Sequence, residues 1–184
     1  IPSSVAYSWA GKSVEYTSDY LKDFTDDVEK VRAAREAYVY RQLESGKLPA
    51  KPYAKEVLKE IKSRGFVTGL ATSTARVRST DVLTALGLFS YIDFPVYSDD
   101  VKMAKPYPDL YLEALRRAGF PPEQSLAVED SLTGAEAARR AGVSVVLVPD
   151  RSFQPDGGQM PGELPDNVVT VGRDLRRVLE FLQE

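Results

Sequence analysis

The chain has 184 residues, 43% of them hydrophobic, enough apolar material for one core of moderate size and too much for a mainly disordered chain. Its 24 basic and 27 acidic side chains are mixed along the sequence, so no basic block marks a nucleic-acid or anionic-membrane binder and a small-molecule partner is favoured. It has neither cysteine nor histidine, which excludes thiol nucleophiles, imidazole bases, disulfides and Cys/His zinc sites and leaves carboxylates, hydroxyls, amines and oxygen-bound hard cations.

In chain order, Val14 to Phe24 predicts a short helix. Asp26-Asp27 predicts the cap of a longer one whose apolar positions Val28, Val31, Tyr38 and Leu43 follow three-to-four spacing as far as Gly46. The stretch Gly46 to Pro52 breaks helix twice through proline and predicts a linker. A helix with Val57, Leu58 and Ile61 on one face follows, ending at Gly65 as a left-handed C-cap. From Phe66 the pattern alternates. Phe66 to Ala71 predicts a strand, then a helix carries Val82, Leu83 and Leu86. Ile92 to Tyr97 predicts a strand, then a helix runs from Pro108-Asp109 to Gly119. Leu126 to Val128 leads into a helix through Gly134 to Gly142, and Val143 to Val148 is another apolar strand. Val168 to Val171 predicts an edge strand and Leu175 to Leu182 a closing helix, after a proline- and glycine-rich loop over 149–165. Such alternation predicts an α/β fold, a doubly wound parallel sheet with helices on both faces, over 49–184, preceded by an all-helical part over 1–48.

Three of the strand-like runs end in polar groups, at the carboxyl ends where ligands collect in an open parallel sheet. Thr72 follows the first; its hydroxyl and the Ser73 amide suit a phosphate oxygen at a helix start, and the hydroxyl equally suits an N-cap. Lys105 stands in Lys105-Pro-Tyr-Pro-Asp109, where the prolines stiffen the approach to a helix. It offers either a fixed cation for phosphate and carboxylate or a solvated surface charge, and its removal is expected to leave the fold intact. Glu129-Asp130 closes a fully apolar strand. The two charges repel unless a cation or a donor network neutralises them, which magnesium would do; otherwise Asp130 is an N-cap and Glu129 a solvated neighbour. The small residues Gly134, Ala135, Ala138 and Ala141 let the next helix approach the sheet closely.

Leu70-Ala-Thr-Ser-Thr74, Ala104-Lys-Pro-Tyr-Pro-Asp-Leu-Tyr111 and Val128-Glu-Asp-Ser-Leu-Thr-Gly134 resemble, in order and spacing, motifs two, three and four of the haloacid dehalogenase (HAD) superfamily. The similar branch is that of β-phosphoglucomutase and related sugar-phosphate phosphatases, whose helical cap is matched by Trp9 to Gly46. The resemblance implies a Rossmann-like core over 49–184 with a small helical cap over 1–48. It implies that Thr72 and the Ser73 amide bind the phosphoryl group, that Lys105 neutralises charge between nucleophile and phosphate, and that Asp130, assisted by Glu129, holds Mg2+. Lys12 and Ser13, with Tyr7, Trp9 and Tyr16 nearby in sequence, would meet a small phosphorylated metabolite. In this family an aspartate forms an aspartyl-phosphate and a second aspartate moves the protons.

No segment resembles the apolar strand closed by Asp-x-Asp-Gly-Thr that carries those two aspartates, and Asp99-Asp100 follows no such strand. In the family that strand lies between those ending at Thr72 and at Asp130. The expectation is therefore that a leading unit of about 30 residues has been cut off or is supplied by another chain. The start at Ile1-Pro2 points the same way. The complete protein would be a Mg2+-dependent phosphomonoester hydrolase, the chain alone inactive, and the alternatives a non-catalytic phosphate binder or a sugar phosphomutase. Val14 stands after Ser13 where phosphoglucomutases carry arginine, which favours hydrolysis. No apolar run reaches the ~20 residues of a membrane span and no signal-peptide pattern opens the chain. A cytoplasmic monomer is expected, with at most a companion N-terminal fragment.

Overall fold

Parallel strands and covering helices form where the apolar pattern alternates, in a computed structural model that describes residues 14–149 and 163–183. Helices α1 (Val14–Leu21) and α2 (Val28–Glu44) come first. Then α3 (Ala54–Ser63) leads to β1 (Gly69–Ala71), α4 (Arg76–Ala85) to β2 (Phe94–Val96), and α5 (Asp109–Ala118) to β3 (Leu126–Glu129). Helix α6 (Leu132–Arg140), β4 (Ser144–Leu147), β5 (Val168–Val171) and α7 (Arg176–Phe181) follow. Every strand pair is parallel, as the alternation requires. Among the described residues no helix is long and apolar enough to cross a membrane.

Local chemistry sets the element ends. Asp27 caps α2 by accepting from the Lys30 amide at 2.9 Å, and Gly119 ends α5 in the left-handed region at φ 72°. The first strand is shorter than its apolar run. Phe66 and Val67 are exposed, and the Thr68 amide donates to the Asp93 carboxylate at 2.8 Å and not to a backbone carbonyl. Pro95, which has no N–H, sits inside β2 and limits that strand in the same way.

The core is organised by β4. Val145 and Leu147 face α5 and α6 with Ala127, packing on Tyr111, Ala135 and Ala138, while Val146 and Val148 face Val57 of α3 and Val178 of α7. A period of two thus delivers apolar side chains to both faces, each fully buried Val or Leu contributing about 1.5–3 kcal/mol.

Between β1 and β3 the sheet is interrupted, for the described strands form one sheet β1-β2 and another β3-β4-β5. Alternate residues of a parallel strand direct their amide groups to the same neighbour. The bonds from Asp93 N to Thr68 O (2.8 Å) and from Thr72 N to Val96 O (3.0 Å) turn Thr68, Leu70 and Thr72 toward β2, leaving Gly69 and Ala71 turned the other way. The bond from Val148 N to Glu129 O (2.7 Å) likewise turns Ala127 and Glu129 toward β4, leaving Leu126 and Val128 turned away. Among the described residues no strand meets these outward groups, and Val128 is 43% exposed. Helices bridge the interruption instead: α5 packs across β1 and β2 and against α6, and Ala71 joins the cluster that contains Tyr111 and Ala127.

Helix α2 departs from expectation. None of its residues is buried, and Val31 and Tyr38 of the expected apolar stripe are exposed. Spacing specifies which side chains share a face but not what covers it; here only the ends of the stripe, Val28 and Leu43, are partly buried. The helix meets α4 through Tyr40, whose hydroxyl donates to Asp81 at 2.9 Å, and through Glu36, which pairs with Arg78 at 2.9 Å.

Candidate active site

The polar groups singled out in the sequence lie at the carboxyl ends of β1 and β3 and on the approach to α5. Thr72 extends the β1 ladder by one residue, and its hydroxyl accepts from the Thr74 amide at 3.1 Å, folding Thr72-Ser-Thr74 into a tight polar turn. It does not cap α4. That helix starts after Ala75, and its first amide, Arg76 N, donates to the Asp99 carboxylate at 2.7 Å. The turn is therefore not consumed by helix capping. Within it the Ser73 hydroxyl is buried and has no hydrogen-bond partner among the described residues. A buried hydroxyl without a partner costs about 1–3 kcal/mol, so this turn holds a donor that a ligand oxygen would satisfy.

Lys105 and Glu129 form the centre of the site. Each is 8% exposed, and the Lys105 ammonium donates to Glu129 Oε1. Lys105 is thus not the solvated lysine of the alternative reading, and its removal would leave a buried carboxylate unpaired. That weighs against the expectation that the fold tolerates its loss. Tyr111, in the first turn of α5, donates its hydroxyl to the same Glu129 oxygen and places its ring beneath the ammonium, 5.2 Å from Nζ to the ring centroid. Burial, and next the Glu129 charge, push the Tyr111 hydroxyl well above its ordinary value, so it stays protonated as a donor. On the other side Glu129 lies against α6, where a Cβ on Gly134 would stand 1.9 Å from Oε2. Glycine at 134 is what lets a carboxylate occupy that place.

Asp130 differs from its neighbour. It is exposed, and no donor among the described residues meets its carboxylate. It is not the cap of α6, because Ser131 takes that position and accepts from the Gly134 amide at 3.1 Å. The repulsion expected within the pair is thus handled on the Glu129 side by Lys105 and Tyr111, leaving Asp130 open. Among the described residues no group of three or more carboxylates gathers as a metal cage.

The structure therefore joins Lys105 to Glu129, with Asp130 next in chain, and connects Thr72 to them through Ala71, which packs on the Tyr111 cluster. Lys12, Ser13, Tyr7 and Trp9 lie outside the described residues. Tyr16 is on α1, exposed and 5.5 Å from the Tyr20 ring. The pair Asp99-Asp100 is structural: Asp99 holds the start of α4, and Asp100 pairs with Arg76 and Arg117. Sequence reading missed Tyr111, and it gave Gly134 a close approach of helix to sheet but not the room it leaves for Glu129. A tyrosine in the first turn of the helix that follows the lysine was the available signal for the first.

Comparison with known proteins extends the picture. The sequence profile of the haloacid dehalogenase-like hydrolases matches residues 5–148. A phosphorylated carbohydrates phosphatase of Thermotoga maritima is 35% identical over 123 residues, covering 67% of this chain and 55% of that protein. A solved hydrolase structure from Pseudomonas syringae superposes with a TM-score of 0.75 at 28% identity, over 97% of this chain and 81% of the other. The β-phosphoglucomutase of Clostridium difficile shares the fold, with a TM-score of 0.74 at 21% identity over 100% of this chain and 81% of the other. The chain spans 55% to 61% of the length of the curated relatives from Thermotoga maritima, Rhodobacter capsulatus and Bacillus subtilis.

Proposed function

The chain belongs to the haloacid dehalogenase-like hydrolase family, in the branch of the β-phosphoglucomutases, and from that premise we propose that it is the larger part of a phosphomonoesterase for a small phosphorylated metabolite, a phosphorylated sugar first among them. The observation that carries this reading is an ammonium buried with its countercharge beside an exposed carboxylate that meets no donor among the described residues, at the end of a parallel strand. A cation so held needs no ordering when a phosphoryl group arrives, and stabilises the charge spread over its oxygens. In this reading the Ser73 amide and the Thr72 hydroxyl hold the phosphoryl oxygens, and Lys105 neutralises their charge.

Mg2+ fits the donors present, for carboxylate oxygens are its preferred ligands and it retains water when few are offered. Asp130 would hold it, while Glu129, with Oε1 engaged by Lys105 and Tyr111 and Oε2 against Gly134, would assist through its charge and not as a ligand. When bound, the ion neutralises phosphate charge. The attacking carboxylate is assigned to an aspartate closing a strand in the interruption between β1 and β3, where Gly69, Ala71, Leu126 and Val128 turn their backbone groups to no strand among the described residues. Such a strand would end level with Thr72 and Asp130, and its aspartate would form the phosphoenzyme that water then hydrolyses. Without it the chain is expected to bind phosphate and not to turn over. In this reading residues 1–48 form a cap hinged at Gly46 to Pro52, which closes over the strand ends and excludes water.

Inorganic phosphate released from a panel of phosphorylated sugars, with Mg2+ and with a chelator, tests the proposal on protein whose β1–β3 interruption is filled. Asp130→Ala is expected to abolish Mg2+-dependent release; unchanged turnover would remove Asp130 from the site. The interruption itself favours one second reading, a phosphate-binding relative without hydrolysis. Phosphate binding without release from any ester, in protein carrying the added strand, would establish it.

A further inference from the structure

We propose that Tyr111 is a positioning residue of this site, its hydroxyl and ring together fixing the direction in which the Lys105 ammonium presents its charge. The inference rests on the functional reading above for the task it gives Lys105, and on geometry for the rest. Glu129 Oε1 receives two donors, the Lys105 ammonium and the Tyr111 hydroxyl. Its carboxylate also fills the space a side chain at Gly134 would need, a Cβ there standing 1.9 Å from Oε2 and 2.7 Å from Oε1. Two donors on one oxygen and the contact with α6 together hold the carboxylate in place.

Lysine is a flexible chain with three donors and no preferred plane, so one contact to a carboxylate leaves its head free to swing. Here the Tyr111 ring, 5.2 Å from Nζ to centroid, occupies one side and attracts the cation to its face. The remaining N–H groups must then point away from both Glu129 and the ring. Tyr111 can serve as a fixed reference because it is itself buried, held in the cluster with Ala127, Ala135, Val145 and Leu147 at the start of α5. If the tyrosine only filled space, phenylalanine would do as well. What distinguishes the two residues is the donor to Glu129.

Tyr111→Phe keeps the ring and the volume and removes only that donor. The direct readout is the order parameter of the Lys105 ammonium by 15N relaxation, with exposed Lys59 as internal control. It is expected to fall in Tyr111→Phe below about 0.6, the range of flexible groups, while Lys59 stays unchanged. An unchanged Lys105 value overturns the proposal whatever the protein does to phosphate esters. The second readout is the Kd for inorganic phosphate by calorimetry, expected to weaken about tenfold in the variant, the effect of losing one hydrogen bond to a charged group. Equal affinity in wild type and variant also overturns it. A wild type that orders Lys105 through Tyr111 yet binds no phosphate overturns the functional reading and leaves the positioning role standing.

Discussion

Two helices show how differently the parts of this molecule are held. Helix α6 meets the sheet through Gly134, Ala135, Ala137 and Ala138, all buried, while α2, nearly twice as long at 17 residues against 9, buries none. Buried apolar area contributes about 25 cal/mol per Å2, whereas a surface ion pair such as Arg78–Glu36 is worth roughly 0.2–1 kcal/mol. Helix α6 thus belongs to the cooperative core, and α2 to a part that detaches at small cost. The groups that must be fixed, Lys105 and Glu129, are attached to the first kind of packing. On the proposed reading, the part that must move to admit a substrate is attached by the second kind.

The largest break in that comparison comes from Lys105→Ala. It leaves Glu129 charged and buried without its cation, and breaking a buried pair in this way costs about 3–5 kcal/mol. A urea titration should show a strongly lowered midpoint, largely recovered when Glu129→Gln is added in the same chain. A midpoint equal to wild type would mean that Glu129 is not desolvated and that the site is not anchored in the core.

Gly134→Ala comes next. Alanine favours helix over glycine by up to about 1 kcal/mol, so on an open helix the change would stabilise. Here the new Cβ stands 1.9 Å from a Glu129 oxygen, and overpacking of this kind costs about 1–3 kcal/mol. Net destabilisation, with a weaker hold on Lys105, is the expected result. Stabilisation would mean that Glu129 moves aside freely and that α6 does not confine it.

The same contrast explains what the sequence made legible. The β4 core was readable because Val145 to Val148 is apolar without interruption and a parallel strand buries both faces. The β1–β3 interruption was foreseen only through the family resemblance, which places between the strands ending at Thr72 and Asp130 a strand closed by Asp-x-Asp that no run in this sequence resembles; backbone pairing explains why that place calls for one. The pairing of Glu129 was half foreseen: adjacency to Asp130 demanded a neutralising group, but periodicity could not say that Lys105 and Tyr111, 24 and 18 residues earlier, supply it. The exposure of α2 was not legible, since the spacing of Val28, Val31 and Tyr38 defines a face and is silent on what lies opposite.

The smallest expected effect concerns the contact that joins α2 to α4. The Tyr40 hydroxyl is pushed above the ordinary value of 10.0, first by its hydrogen bond to Asp81 and then by burial. A proton held more tightly in the docked state stabilises docking fully below the ordinary tyrosine value. That stabilisation is lost as pH rises through the raised one, because the docked state then gives up a proton it binds better than the free side chain does. Cleavage of the Gly46 to Pro52 linker by an alkaline protease should therefore accelerate in wild type as pH passes above the tyrosine range. In Tyr40→Phe it should be modestly faster at neutral pH and lack that alkaline step. Arg78→Ala should act in the same direction and remove the salt sensitivity of cleavage, since Arg78–Glu36 is the part of the contact that ions screen. Neither substitution should move the urea midpoint of the core. If either does, α2 and α6 unfold as one unit, and the division between a fixed core and a lightly held helix has to be withdrawn.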